Sequence, residues 1–142
     1  MKTAIIGIGL IGGSFALSLK EHGLSDEIWG VDKSEANRDK ALEMGLVDRI
    51  VTLDEAAAGA DLIVLATPVD TIPLLAVKLL NKANERQVIM DMGSIKAELC
   101  EVIERHPDRG RFVATHPMWG TEYSGPEAAV RGAFTGRTVV IC

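Results

Sequence analysis

A glycine string near the amino terminus, Gly7-Ile8-Gly9-Leu10-Ile11-Gly12-Gly13-Ser14, constrains the fold of this chain more than any other feature. A G-x-G-x-x-G pattern alone is short and common. Its setting here is specific. The apolar run Lys2-Thr3-Ala4-Ile5-Ile6 precedes it, the helix-like stretch Ser14–Lys20 follows, and an acidic residue, Asp32, lies 20 positions beyond Gly12. Strand, glycine turn, helix and distant carboxylate together make a dinucleotide-binding fingerprint, and each part has a physical task. Gly7 permits the tight strand-to-helix turn, and Gly9 lets a pyrophosphate approach the backbone without meeting a Cβ. Gly12 lets the helix lie close on the strand. The free N–H groups of the first helical turn, at Leu10 and Ile11, face the phosphates from the positive end of the helix dipole.

With 142 residues the chain is long enough for one domain with a sizeable core and too short for two. Its 47% hydrophobic and 25% charged residues match a soluble globular protein. No uninterrupted apolar stretch approaches a membrane span, and the apolar amino-terminal region is broken by glycines, so it reads as strand, turn and helix rather than signal peptide. A net charge of −5 with no basic face argues against nucleic acid as a partner. Cys100 and Cys142 lie far apart without metal-ligand spacing and are expected as reduced thiols of a cytoplasmic protein. None of the three histidines has a His-x-x-His or Cys-x-x-Cys neighbour, so no metal site is expected.

Strand and helix signals alternate along the whole chain. Strands are predicted at Thr3–Gly7, Glu27–Asp32, Leu62–Ala66, Gln87–Asp91, Phe112–Thr115 and Thr138–Cys142, with a weaker one at Arg49–Val51. Most are short, β-branched and apolar on both faces, as buried parallel strands are. Helices are predicted at Gly12–His22, Ser34–Met44, Thr71–Lys82 and Lys96–Arg105, with a short one at Asp54–Ala58. Ser34 is the expected N-cap of the second helix, and Gly45 its expected C-terminal stop. The fold class is therefore α/β: an open, doubly wound, mainly parallel sheet of the Rossmann type, residues 1–142 forming one dinucleotide-binding domain.

Ligands of such sheets bind beyond the carboxyl ends of the strands. That rule singles out the glycine loop, Asp32-Lys33-Ser34, Ala66-Thr67-Pro68-Val69-Asp70, Asp91-Met92-Gly93-Ser94-Ile95-Lys96 and the segment from Thr115 to Glu122. Asp32 at the end of the second strand can accept hydrogen bonds from ribose hydroxyls and would repel a 2′-phosphate, which favours NAD over NADP. Thr67 and Pro68 join the glycine loop and Asp32 as expected cofactor contacts. His116 is held extended by the following Pro117, and a histidine, the side chain that most readily exchanges a proton near neutral pH, suits a general base there. Ser94 offers a hydroxyl at the start of a helix for orienting a substrate oxygen or anion. The plainer alternatives are packing or capping for His116, an N-cap for Ser94 and a solvated helix charge for Lys96. Trp29, Met90, Met92 and Met118 read as packing residues, and His22 and His106 as solvent-facing or helix-capping.

Taken together, four strings resemble the prephenate and arogenate dehydrogenase family: the glycine string, Ala66-Thr67-Pro68-Val69, Asp91-Met92-Gly93-Ser94-Ile95-Lys96 and His116-Pro117-Met118-Trp119-Gly120-Thr121-Glu122-Tyr123-Ser124-Gly125. The last is the most specific, and the resemblance spans essentially the whole chain. It implies oxidative decarboxylation of prephenate to 4-hydroxyphenylpyruvate with NAD taking the hydride, on the route to tyrosine. His116 would draw off the ring hydroxyl proton, Ser94 would hold hydroxyl and nicotinamide in register, and Thr121 and Glu122 would belong to the substrate pocket. Trp119 stands where family members often have a small residue. The resemblance also implies a further helical domain that forms a homodimer and supplies basic groups for the substrate carboxylates. None of it lies in these 142 residues, so the chain is expected to be a cofactor-binding part of a longer enzyme, weakly active or inactive alone. Arogenate as substrate, or a stand-alone NAD-binding regulatory module, are the alternatives.

Overall fold

The computed structural model describes residues 1–142. Its strands are β1 (Lys2–Ile6), β2 (Glu27–Val31), β3 (Arg49–Ile50), β4 (Leu62–Leu65), β5 (Val88–Asp91), β6 (Phe112–Pro117) and β7 (Val139–Ile141). They form one sheet in the order β3-β2-β1-β4-β5-β6-β7, parallel throughout except for β7, which runs antiparallel to β6. The chain winds outward from β1 through β2 to β3, then returns to the other side of β1 and continues through β4, β5 and β6. This is the doubly wound order, and its switch point lies between β1 and β4, where ligands of such sheets bind. The α/β class and the mainly parallel sheet expected from the sequence are both present.

The helices are α1 (Leu10–Glu21), α2 (Glu35–Glu43), α3 (Leu53–Gly59), α4 (Ile72–Leu80) and α5 (Ala97–Glu104). No helix is long and apolar enough to cross a membrane. Side-chain alternation along the strands feeds two cores. Ile5, Ile28 and Val64 point to one face and pack with Leu17, Leu19 and Leu46 from the α1 and α2 side. Ile6, Ile63, Leu65 and Ile89 point to the other and pack with Leu79, Leu80 and Leu99 of α4 and α5. Trp29 belongs to this second core, as expected of a packing residue.

Local signals account for most helix ends. Ser34 Oγ accepts the Asn37 N–H at 3.2 Å, and Gly45 takes φ +65° just past the end of α2, both as expected. At α3, Thr52 and Glu55 form a reciprocal capping box, so the helix starts at Leu53 rather than Asp54. α1 begins at Leu10, two residues before the expected start at Gly12, because the glycine loop itself makes the first turn.

The connection between β6 and β7, residues 118–138, holds only a short 3-10 turn at Pro126–Ala128. Without a crossover helix it cannot return a parallel strand, hence the antiparallel β7. It lies on α1 instead. Ser14 Oγ accepts the Val130 N–H at 2.9 Å, Arg131 pairs with Glu21 at 3.1 Å, and the Phe134 ring meets Phe15 and Trp119 edge-on at 5.7 and 5.6 Å.

Candidate functional site

The glycine loop shows three different steric demands. Gly7 has φ +94°, and a Cβ there would lie 2.7 Å from the Ala66 carbonyl oxygen. A Cβ on Gly12 would lie 2.0 Å from the Gly7 oxygen and 2.9 Å from Ile5 Cγ2. These two glycines let α1 and β1 pack closely at the switch point. Gly9 differs: a Cβ there would meet nothing within 4 Å. The space in front of it is open, which is what a loop built to admit a ligand against its backbone requires. Gly9 is the N-cap of α1, and no side chain caps that end. The Leu10, Ile11 and Gly12 N–H groups precede the first intrahelical bond, Gly13 N–H to Gly9 O at 2.8 Å.

Asp32, just past β2, is turned toward this loop. One carboxylate oxygen accepts the Ile8 N–H at 3.0 Å, and the other accepts the Ser34 N–H at 2.9 Å. Arg38 donates to the Asp32 and Lys33 carbonyl oxygens at 2.8 and 3.3 Å, so the β2 exit is fixed from both sides. Beyond lies a cleft of about 610 Å³, bounded by Asp32 and Lys33 on one side and Thr67 and Pro68 on the other. Leu53 and Leu74 add apolar walls. Thr71 Oγ1 sits 2.8 Å from Thr67 Oγ1 and 2.7 Å from the Pro68 oxygen, which pins the β4 exit. Gly7, Gly9, Asp32, Thr67 and Pro68 therefore meet in one cleft, a mainly apolar slot with a carboxylate at one end and free N–H donors beside it. Asn37, Leu53, Leu74 and Leu75 also line it and were not singled out from sequence.

Ser94 and His116 lie outside that cleft, Ser94 just past the carboxyl end of β5 and His116 in the last residues of the adjacent β6. His116 is still within β6, opposite Val140 of β7, and is half-buried. Ser94 is exposed in the turn before α5 and is not its N-cap, a position taken by Lys96. Nor is Lys96 a solvated helix charge. Its ammonium pairs with the fully buried Asp91 and donates to the Gly93 oxygen at 2.6 Å. Asp91 also accepts the Gly93 N–H at 2.9 Å and the Thr115 N–H at 3.1 Å. The sequence offered the spacing Asp91-x-x-x-x-Lys96 but not the burial that makes the pair matter. Thr121 and Glu122 are exposed in the β6–β7 connection, where Thr121 Oγ1 accepts the Tyr123 N–H at 3.2 Å.

Trp119 packs edge-on against Phe134. Of the three methionines read as packing residues, Met92 is in the core, Met90 packs against it, and Met118 is 54% exposed. His22 Nδ1 caps α1 at the Ser18 oxygen, and His106 bridges Asn81 and the Asp108 N–H.

Comparison with known proteins gives a consistent picture. Residues 15–142 match the sequence model of the family described as prephenate dehydrogenase, nucleotide-binding domain. The cyclohexadienyl dehydrogenase of Zymomonas mobilis is 32% identical over 97% of this chain and 47% of its own length. Among solved structures, prephenate dehydrogenase from A. aeolicus in complex with hydroxyphenyl propionate and NAD+ superposes with a TM-score of 0.90 at 33% identity, covering 99% of this chain and 50% of that one. Synechocystis arogenate dehydrogenase superposes with a TM-score of 0.82 at 27% identity, covering 99% and 49%. The chain spans about half the length of the relatives it matches.

Proposed function

Since this chain belongs to the prephenate dehydrogenase family, matching its nucleotide-binding domain, we propose that it holds NAD and carries the proton- and hydride-transfer side of the oxidative decarboxylation of prephenate to 4-hydroxyphenylpyruvate. The observation that carries the cofactor part is the open backbone at Gly9 beside the inward-turned Asp32 carboxylate. A dinucleotide fits these residues. Its pyrophosphate would lie on the Leu10 and Ile11 N–H groups, its adenosine in the slot between Lys33 and Pro68, and its ribose hydroxyls on Asp32. The Asp32 charge, already holding two main-chain donors, disfavours a 2′-phosphate there, so NAD is the expected cofactor.

Bound NAD supplies the hydride acceptor. The ring C4 hydroxyl must lose its proton as C4 gives up hydride and the ring carboxylate leaves as carbon dioxide. His116 takes that proton and returns it to the phenolate oxygen formed as the ring aromatises, so no net proton is released, and its half-buried position in a strand limits the freedom of its ring. The Ser94 hydroxyl orients the same oxygen from the β5 side. Aromatisation drives the reaction, so positioning is most of what the protein must add. The groups that bind the substrate carboxylates, and the homodimer, we assign to the remainder of a longer parent protein. Arogenate is the second reading, favoured by the fit to the Synechocystis enzyme.

The test gives the chain NAD with prephenate or arogenate, follows formation of reduced cofactor, and measures NAD and NADP binding by calorimetry. NAD binding stronger than NADP, with turnover of either substrate, supports the reading. No NAD binding ends it.

A further inference from the structure

Outside the cofactor cleft, the most enclosed ionisable group is Asp91. It is the last residue of β5 and has no exposed surface, and the Lys96 side chain that pairs with it is 13% exposed. Their surroundings are unusual in one respect: every hydrogen bond to the Asp91 carboxylate comes from the residue immediately before one of the two candidate catalytic groups, or from Lys96, which bonds one of those residues. Gly93, which precedes Ser94, donates its N–H to Asp91 at 2.9 Å, and its carbonyl oxygen receives the Lys96 ammonium at 2.6 Å. Thr115, which precedes His116, donates its N–H to the second carboxylate oxygen at 3.1 Å and its hydroxyl to the Asp91 main-chain oxygen at 2.5 Å. We infer that Asp91 is a positioning residue that sets Ser94 and His116 relative to each other, an inference that rests on the dehydrogenase reading above.

The alternative is that the pair serves stability alone. Desolvating two charges offsets most of their attraction, and well-packed apolar residues of the same volume commonly stabilise as well or better. An apolar pair cannot, however, bind the main chain of two neighbouring loops at once. Asp91 can, because an ionised carboxylate accepts on both oxygens without needing a donor of its own. Gly93 is held on both of its polar groups, which leaves Ser94 little freedom to shift. A side chain at Gly93 would lie 2.9 Å from Ile72 Cδ1 and 3.1 Å from the Asp91 carboxylate, so the turn is closed sterically as well. The β6 register is fixed beside His116 by the two Thr115 bonds. One buried carboxylate thus ties the exits of β5 and β6, the two strands that present Ser94 and the proposed base His116.

Asp91→Asn tests this, because the amide keeps the volume but turns one acceptor into a donor facing an N–H. Asp48→Asn is the control: Asp48 also pairs with a lysine, Lys20 at 2.7 Å, and accepts a main-chain N–H, from Ile28 at 2.7 Å, but lies at the amino end of β3, on the opposite side of the sheet from β5 and β6. Asp91→Asn is expected to lower kcat on prephenate or arogenate roughly 100-fold, the scale of a small misplacement of reacting groups. NAD affinity and the KM for NAD should stay within about threefold. Asp48→Asn should change neither. A wild-type kcat in folded, NAD-binding Asp91→Asn overturns the inference. Should Asp91→Asn not fold, Thr115→Val removes one hydroxyl bond at nearly constant volume and is expected to lower kcat in the same sense by a smaller factor; unchanged kcat again overturns it. If wild type binds NAD without turning over either substrate, NMR relaxation dispersion of the NAD-bound chain replaces kcat. Ser94 and His116 should then both gain exchange in Asp91→Asn and not in Asp48→Asn, and a flat profile at either residue refutes the brace. Loss of NAD binding in the wild type itself would instead overturn the dehydrogenase reading.

Discussion

The Asp32 carboxylate reaches from the end of β2 to the glycine loop and accepts the Ile8 amide at 3.0 Å. It therefore has two tasks, bracing the loop and presenting negative charge where a ribose would lie. Asp32→Ser keeps a short polar side chain and removes the charge. The ratio of NAD to NADP affinity is expected to fall at least about tenfold, or 1.4 kcal/mol, with Lys33 already at the cleft rim to accept a phosphate. Calorimetry with both cofactors checks it, and an unchanged ratio removes Asp32 from cofactor choice.

Gly9 and Gly12 separate binding from folding. Gly12→Ala forces a Cβ to 2.0 Å from the Gly7 oxygen, backbone that cannot swing aside, and is expected to destabilise by about 3 kcal/mol or more. Gly9→Ala meets nothing and is expected to change stability by less than about 0.5 kcal/mol while weakening NAD binding about tenfold or more. Urea unfolding and calorimetry on the two variants read both effects. The opposite pattern would mean that the open face at Gly9 is not where the pyrophosphate lies.

His116→Asn leaves the cofactor cleft untouched, since His116 is not among its walls. NAD binding should stay within about threefold, and turnover should fall by about 100-fold or more, the usual worth of a positioned general base. The assay is made in the form of the protein that turns over. A rate within about threefold of wild type excludes His116 as the base.

Asp48 supplies the acid-side prediction. Its partial burial disfavours the charged form, but the hydrogen bonds from Lys20 and from the Ile28 N–H, with the lysine charge, outweigh that and hold the carboxyl below its ordinary value. A depressed folded-state pKa contributes stability that is present above the unfolded value of about 3.9 and is lost as pH falls through the lower folded value. With the side chain 42% exposed, screening keeps the contribution below about 1 kcal/mol. Asp48→Asn should unfold at lower urea than wild type at neutral pH, and the difference should shrink as pH falls below the ordinary carboxylate range. An equal offset at neutral and acid pH would assign the loss to packing.

The switch-point cleft was legible in the chain because its geometry is set locally. Gly7, Gly9, Gly12 and Asp32 sit at fixed offsets from one strand and one helix, and each offset carries a steric or electrostatic demand. The switch-point rule extended this to Thr67 and Pro68. The Thr52-x-x-Glu55 capping box is just as local, yet the sequence reading starts α3 one residue late, at Asp54, because it follows hydrophobic pattern rather than the cap. What could not be read depends on neighbours distant in sequence. Lys96 lies only five residues from its partner Asp91, but the burial of that carboxylate, and its bond to Thr115 24 residues on, come only when β5 and β6 pair. The antiparallel return of β7 and the seat of residues 118–138 on α1 arise from contacts such as Ser14 with Val130, which no local periodicity announces. Trp119 likewise acquires a setting only through Phe134.

That seat bears on how the protein is made. Ser14 and Val130 are separated by 116 positions, and the Arg131–Glu21 pair by 110. α1 and the strands beside it leave the ribosome early, yet the partners of Phe15 and Ser14 are synthesised among the last residues of this chain. Until then α1 keeps the Phe15 ring without its Phe134 partner and the Ser14 hydroxyl without the Val130 N–H. Such long-separation closures come late and slow the search. Until residues 118–138 emerge, the α1 flank of the nascent domain lacks its cover, and exposed apolar surface of that kind is what makes incomplete folds prone to aggregation.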